Sequence, residues 1–595
     1  MEKMQSNDRG NIKIFKLIWE LIKYRPFLYL LNNIFWITIH VTPIFMGLLL
    51  KYTFEYIEGE STFKYGLNGL IIGIIAFTIV KLVLIYYGFV TDILHRFSIS
   101  GVLRFNILEE IMKKPGAKAV PKAIGEVMNT YRDDVNQITD SISWFIDGIG
   151  AVVFSVISLI ILMKINLKMT VLVYAPLVVI VTIAKSTTNK IKRYREEARK
   201  ATSMVNGAMG EMFNSVQAIQ LACKEKNMLE HLKSLNNNRK KAMIKDSLLN
   251  QLLQSIFENT ISIGTGLILL VAGSAIKSET FTVGDFTLFV YFLQFVTDKA
   301  IFFGEILAHY FQTGVAFKKI NDITEGSYES LVKHSTLYIK EKPEIKAYNS
   351  IKLQEELDEL DELEVKDLTY RYNDTSGGIE NISFNIKKGS FTLITGRIGC
   401  GKTTLLRTML GLLPKQNGEV LWNGNKVDND VFFTPPVCAY TAQVPYLLSE
   451  TVSENLLLGL NKSEEQINGA IYSAVFEKDV HNLEKGLDTI VGSKGVKLSG
   501  GQKQRVAAAR MFLRDSQLYV FDDISSALDV ETEGKLWDRL FNLNNKTCLA
   551  VSNRKVALKR ADNIIVLKDG FIEAQGTFEE LLNNSEEFRA IVNVK

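Results

Sequence analysis

Six apolar, charge-poor segments crowd the first half of this 595-residue chain, near Phe27 to Leu50, Gly66 to Val90, Ser143 to Met163, Met169 to Ala184, Ile256 to Ile276 and Val283 to Leu307. Each approaches the length of about 20 residues that an α-helix needs to cross a bilayer. Hydrocarbon offers no partner to backbone N–H and C=O groups, so such segments must satisfy themselves internally as helices. The overall hydrophobic fraction of 47% is ordinary. Its distribution is not, because the second half alternates like a soluble α/β protein. A chain this long exceeds one hydrophobic core, and at least two domains are expected.

Lysine and arginine set the orientation. Lys13, Lys16, Lys23 and Arg25 precede the first segment; Arg96, Arg104, Lys113 and Lys114 follow the second. Lys190, Lys192, Arg193, Arg195, Arg199 and Lys200 follow the fourth, and Lys318 and Lys319 follow the sixth. Cytoplasmic flanks carry the excess of positive charge, so both termini are expected in the cytoplasm. Met1 to Arg25 is polar and basic, and the apolar run after it is too long for the core of a cleavable signal. The net charge of +4 is too small to point to nucleic acid. Cys223, Cys400, Cys438 and Cys548 lack metal-binding spacing and read as reduced, cytoplasmic thiols.

The two basic connections are too long for plain loops and carry helical periodicity, so they should continue the spans into the cytoplasm. Pro115 to Gly125 and Gln217 to Glu225 are the candidates for short turns that touch a partner. On the sixth segment Gln294, Asp298, Glu305, His309 and Gln312 are spaced 4, 7, 4 and 3 residues apart and share one helical face. A carboxylate at the bilayer centre costs roughly 2.5 to 3.5 kcal/mol, so this stripe should face protein or water. It either lines a solvated cavity or joins an interhelical ion pair in which Lys299 or another segment satisfies Asp298. From Asn321 to about Leu360 the apolar segments stop, and the acidic LQEELDELDELE reads as a solvated linker.

The second half carries the chemistry. In FTLITGRIGCGKTTLL the loop residues Gly396, Arg397, Ile398, Gly399, Cys400, Gly401, Lys402, Thr403 and Thr404 fit a phosphate-binding pattern. Glycines let backbone N–H groups wrap a polyphosphate, the Lys402 ammonium reaches the β- and γ-phosphates, and the Thr403 hydroxyl ligates Mg²⁺. An apolar strand precedes the loop, and a helix follows with its positive end toward the phosphates. Tyr372, in the strand-like LEVKDLTYRY, is either an aromatic that stacks on a nucleobase or a tyrosine of a half-buried strand. Gln443, after another apolar strand, is a polar side chain able to approach Mg²⁺ or a water. In LSGGQ, Gly500 and Gly501 permit close backbone approach and Ser499 offers a hydroxyl, while Gln502 opens a helix aimed at an anion. LYVFDD ends in Asp522, an oxygen ligand suited to magnesium, and Asp523, placed beside an attacking water.

Taken in order, these motifs resemble the ATP-binding cassette (ABC) transporters of exporter type, with an aromatic loop, Walker A, glutamine loop, signature, Walker B and the D-loop SSALD from Ser525 to Asp529. The resemblance covers nearly the whole chain. It implies a membrane all-α domain of six spanning helices over residues 1–320, a linker over 321–360 and a cytoplasmic α/β P-loop nucleotide-binding domain over 361–595. It further implies ATP and Mg²⁺ as cofactors, a multi-pass place in the cell membrane among its lipids, no nucleic-acid partner, and ATP-driven export. In that family two cassettes sandwich two ATP molecules head to tail, each site joining the Walker A of one subunit to the signature of the other, and the cytoplasmic loops dock on the cassettes.

Two positions depart from the family, and both concern hydrolysis. Asp523 stands where the family has Glu, so its carboxylate is one methylene shorter, and Asn553 stands where the family's switch His follows the strand CLAVS. Losing such a group typically removes 10² to 10⁴ in rate, or about 3 to 5 kcal/mol. The binding groups are all present. The sequence therefore predicts a site that binds MgATP and hydrolyses it slowly, with Asp523, Asn553 and Gln443 as its catalytic positions. The partner is expected to be a second half-transporter, with a heterodimer favoured over a homodimer of slow ATPase activity. A nucleotide-gated conduit or regulator is the reading from another class. The transported substrate does not follow from the sequence.

Overall fold

The computed structural model describes residues 14–59, 66–121, 124–277, 281–335, 358–372, 377–492, 495, 497–524, 527–542 and 546–593. The chain divides into two compact units, Met1–Glu110 with Lys122–Leu337, and Ile111–Pro121 with Tyr338–Lys595.

The first unit is helical: α1 (Ile14–Ile22), α2 (Pro26–Glu58), α3 (Gly66–Met112), α4 (Ile124–Ile165, with a π-helical turn at Thr130–Asp134), α5 (Leu167–Asn214), α6 (Glu225–Lys277) and α7 (Val283–Thr324). Local chemistry sets the ends. Pro26 opens α2, whose left-handed Gly59 closes it, and a reciprocal Thr282 and Asp285 capping box opens α7. Helix α6, at 53 residues, is about 80 Å long at a rise of about 1.5 Å per residue. That is more than twice the roughly 30 Å of a hydrocarbon core.

Among the described residues four helices are long and apolar enough to span (α2, α3, α4 and α7), and α6 carries a shorter apolar stretch at Ser262–Gly273. The fourth expected span, Met169 to Ala184, lies on α5, where most side chains fall outside the described residues. Helices α2, α4 and α7 pack together, and α5 pairs with α6. Phe154, Phe289, Phe292 and Leu293 are buried in the resulting core. A Cβ on Gly47 would lie 2.7 Å from the Phe292 ring, so the close approach of α2 to α7 requires glycine there.

The polar stripe of α7 divides in the structure. His309 turns into the protein, stacked on Trp144 with ring centroids 4.2 Å apart and 3.1 Å from the Gln137 amide. Gln294, Asp298, Glu305 and Gln312 are exposed on this unit. Of the ion pair that one reading offered for Asp298, no close Lys299 contact is found among the described residues, although the two charges are near enough to interact. The Lys299 ammonium lies 2.8 Å from His40 Nδ1, and His40 Nε2 lies 3.0 Å from Asp147, which joins α2, α4 and α7 through polar side chains.

The second unit holds two sheets. One is antiparallel, in the order β2 (Gly378–Lys387), β1 (Glu362–Arg371), β4 (Asn417–Trp422), β5 (Asn425–Lys426). The other runs β10 (Phe571–Gly576), β9 (Asn563–Lys568), β3 (Phe391–Gly396), β8 (Thr547–Val551), β7 (Leu518–Asp522), β6 (Cys438–Thr441). All pairings in it are parallel except β10 against β9. Every residue of β3, β7 and β8 is buried, as expected of parallel strands covered on both faces. Helices α8 (Lys402–Met409), α9 (Gly500–Phe512), α10 (Val530–Phe541) and α11 (Glu586–Asn593) complete the elements that matter below.

Two boundaries differ from the sequence reading. Part of the acidic run read as solvated is fold: Leu360 and Leu363 are buried, the Leu360 N–H donates to Gln517 at 2.6 Å, and β1 begins at Glu362. Residues 336–357 of the linker lie outside the described residues. Of the first candidate contact element, Pro115 to Pro121 belongs to the second unit, where the Ala117 N–H donates to the Leu412 carbonyl at 3.0 Å and the Lys118 ammonium lies 5.2 Å from the Tyr370 ring centre. Gln217 to Glu225 contains a short helix, Val216–Leu221, whose Leu221 is 87% exposed.

Candidate functional site

At the carboxyl ends of the parallel strands a cleft of about 560 Å³ is lined by Tyr372, Ile398, Gly399, Gly401, Lys402, Thr403, Thr404, Gln443, Asp522, Asp523, Asn553 and Arg554. Ligands of parallel α/β sheets bind at this edge. The chain leaves β3 and turns sharply into α8. Gly401 sits at the N-cap with φ of 103°, and a Cβ there would meet the Gly378 carbonyl at 2.9 Å. Gly396 is as constrained, since a Cβ would lie 2.4 Å from the Leu567 carbonyl. The loop's backbone and the N-terminal turn of α8 therefore face one point, which suits an anion.

The side chains that the sequence assigned to phosphate and metal converge here. Lys402 Nζ donates to the carbonyls of Gly396 at 2.7 Å and Arg397 at 2.8 Å. The Thr403 hydroxyl donates to Asp522 Oδ1 at 3.1 Å. Asp522 is 1% exposed, and burial raises its carboxyl above the ordinary range against the opposing pull of Thr403 and Arg407. Its second oxygen is buried and, among the described residues, receives no hydrogen bond of ordinary geometry, although the Tyr440 hydroxyl stands near enough to lower the carboxyl slightly. A buried carboxylate oxygen so placed, beside a threonine hydroxyl, fits a hard divalent cation taking oxygen ligands. Tyr372 is 38% exposed, with its hydroxyl 3.4 Å from that of Thr404 and its ring edge-on to Tyr370. Cys400 is buried within the loop, and that burial pushes its thiol pKa up, away from a reactive thiolate.

On the other side stand the two divergent positions. Asp523 adopts φ of 53° and accepts from the Gln443 amide at 3.3 Å. Burial raises its carboxyl, while Gln443 and the nearby cations Arg554 and Lys402 oppose the shift. Asn553 is tied to the start of the phosphate loop, its oxygen accepting from the Thr395 hydroxyl at 2.9 Å and its amide nitrogen donating to the Gly396 carbonyl at 3.2 Å.

Ser499, Gly500, Gly501 and Gln502 do not line the cleft of their own chain. Ser499 and Gln502 form a reciprocal capping box that opens α9, with the Gln502 N–H donating to Ser499 Oγ at 3.2 Å and the Ser499 N–H to Gln502 Oε1 at 2.8 Å. Of the D-loop, Ser525 and Ser526 lie outside the described residues, and Asp529 caps α10. Three residues near the cleft escaped the sequence reading. Arg554 adjoins Asn553 and was visible as a cation ending a strand. Glu587, paired with Arg397, and Gly570, bonded to Cys400, come from distant segments with no local signal.

Comparison with known proteins matches residues 379–526 to the ABC transporter family and residues 29–298 to the ABC transporter transmembrane region. The chain is 28% identical over 433 residues to the probable multidrug resistance ABC transporter ATP-binding/permease protein YheI of Bacillus subtilis, covering 71% of this chain and 70% of that one. It is 34% identical over 233 residues to the beta-(1-->2)glucan export ATP-binding/permease protein NdvA of Rhizobium johnstonii, covering 39% and 40% of the two chains. In fold it is similar to a bacterial Atm1-family ABC exporter with ATP bound, at a TM-score of 0.73 and 17% identity over 95% of this chain and 98% of that one.

Proposed function

We propose, from the premise that this chain belongs to the ABC transporters of exporter type, that it is the weakly hydrolysing half of a two-chain, ATP-driven exporter. The observation that carries this reading is the bonding of its two divergent residues. Asn553 directs both polar atoms of its amide to Thr395 and Gly396, and an amide takes up no proton near neutral pH. Asp523 is shorter than the family's Glu and is bonded to Gln443. Lys402, Thr403 and Asp522 by contrast keep the chemistry of a nucleotide site. Magnesium, when bound through Thr403 and Asp522 with Gln443 nearby, supplies positive charge that offsets the phosphates. Around it, loop amides and Lys402 hold the triphosphate and Tyr372 stacks on the base. The unaltered signature, Ser499 to Gln502, serves the partner's site, where turnover takes place.

The exposed residues Gln294, Asp298 and Glu305 of α7 line the substrate path in this reading, and the exposed Leu221 turn meets the partner. Cysteines placed at 294, 298 and 305 should react with an aqueous maleimide; uniform protection in every nucleotide state would remove them from the path. The decisive measurement is the ATPase activity of the purified chain. Little turnover, changed less than about two-fold by Asp523→Asn, is expected of an idle site. Brisk hydrolysis abolished by Asp523→Asn would instead establish a self-sufficient homodimer.

A further inference from the structure

The phosphate loop is fastened from a part of the chain that carries none of the nucleotide motifs. Arg397, the loop's second residue, pairs with Glu587 of α11: Nη2 donates to Oε2 at 3.0 Å, and Nε lies 2.5 Å from Oε1 as an ion-pair contact without a second hydrogen bond. The Glu587 side chain is 4% exposed, whereas that of Arg397 is 68% exposed. Lys568, the last residue of β9, stands 3.9 Å from the same carboxylate. Helix α11 is itself well seated. Phe588 and Ile591 are in the cassette core, and Ser585 accepts the Phe588 N–H at 3.0 Å while its hydroxyl donates to Glu573 at 2.7 Å. A second tie comes from the turn between β9 and β10, where the Gly570 N–H donates to the Cys400 carbonyl at 3.2 Å.

We propose that Glu587 is a positioning residue for the phosphate loop, so that the C-terminal helix sets the affinity of this chain for MgATP. The inference rests on the reading of the cleft as an MgATP site. A carboxylate buried this far must keep a cation, and the charge-assisted bond from Nη2 to Oε2 holds the guanidinium in place. Arg397 is thereby held away from the phosphates. Its carbonyl, which accepts from Lys402, is held with it, so the backbone that cradles the triphosphate is ordered before nucleotide arrives. Ordering a loop in advance lowers the entropic cost of binding.

The test measures the dissociation constant for MgATP on the purified full-length chain, for the parent and for Glu587→Gln, Arg397→Gln and the double variant, with thermal unfolding of each. The two single variants should each weaken MgATP about ten-fold, and the double variant no further than either, because paired residues acting as one unit are not additive. Unchanged affinity in a folded Glu587→Gln would overturn the proposal. So would tighter binding by Glu587→Gln alongside weaker binding by Arg397→Gln, since Arg397 would then be a phosphate ligand in its own right. If Glu587→Gln does not fold, Arg397→Gln and Arg397→Lys carry the test. Arg397→Lys keeps the charge that Glu587 needs and should recover part of the affinity that Arg397→Gln loses, and a lysine variant no better than glutamine would overturn the role of the pairing. A parent chain with no MgATP affinity would overturn the nucleotide-site reading itself and this proposal with it.

Discussion

On the β3 side of the cleft, Lys402 and Thr403 lie where a triphosphate and its metal need them, backed by a strand whose every residue is buried and by glycines that no side chain can replace. On the β8 side, Asn553 is bonded back to Thr395 and Gly396, and Asp523 to Gln443. Side chains on both sides are hydrogen-bonded within the protein, and the two sides differ in the chemistry of the groups they present. Holding a nucleotide requires fixed backbone donors and one cation, whereas hydrolysis requires a group that positions or accepts a proton at a defined atom. A cassette can therefore lose turnover through two side chains while its fold and its grip on ATP stay intact.

The comparison breaks most directly by repair. Asp523→Glu combined with Asn553→His should raise the ATPase rate of the purified chain by about 10² to 10⁴, the usual worth of a general acid or base. Affinity for MgATP should change far less. A repaired site that stays idle would place the defect elsewhere, in the signature or in the pairing of subunits. Next in size, Lys402→Ala should weaken MgATP about 100-fold in equilibrium binding, since it removes the loop's charge-assisted donor to phosphate. Retention of MgATP by that variant would mean that the β3 side does not hold the nucleotide.

Much of this cleft was legible in the chain because its parts are local. The loop from Gly396 to Thr404 is contiguous, Asp522 follows an apolar strand, and the spacing of strand, loop and helix is dictated by the phosphates they surround. Four of the six expected spans coincide with helices long and apolar enough to cross a membrane, legible for a related reason, as hydrocarbon tolerates little besides apolar helix. What the sequence withheld depends on register across long separations. Nothing near Arg397 announces Glu587, 190 residues away, and the pairing of Lys299 with His40 rather than Asp298 is decided by how α2 meets α7. The buried Leu360 was hidden inside an acidic run, because charge density describes the solvated face of a strand and says little of its other face. The sequence reading of Asn553 as a departure from the family did not include its bonds to Thr395 and Gly396, which depend on the β3 and β8 pairing.

The smallest expected effect concerns the price of keeping Asp522 on the binding side. Burial raises its carboxyl above the ordinary value of 3.8, so the folded cassette takes up a proton more readily than the unfolded chain does. Lowering pH through the window between the raised value and 3.8 therefore favours folding, and above that window the cassette carries the full cost of a buried charge. Asp522→Asn has no charge to bury. In nucleotide-free buffer at neutral pH it should unfold at a higher temperature than the parent, with the gap closing as pH falls toward 3.8. The same variant should lose the dependence of ATP binding on magnesium, because the side chain would no longer carry charge for the metal. If Asp522→Asn instead melts lower at neutral pH, the bond from Thr403 and the pull of Arg407 outweigh burial. The carboxylate would then serve to hold the end of β7, and its assignment to the metal would fall.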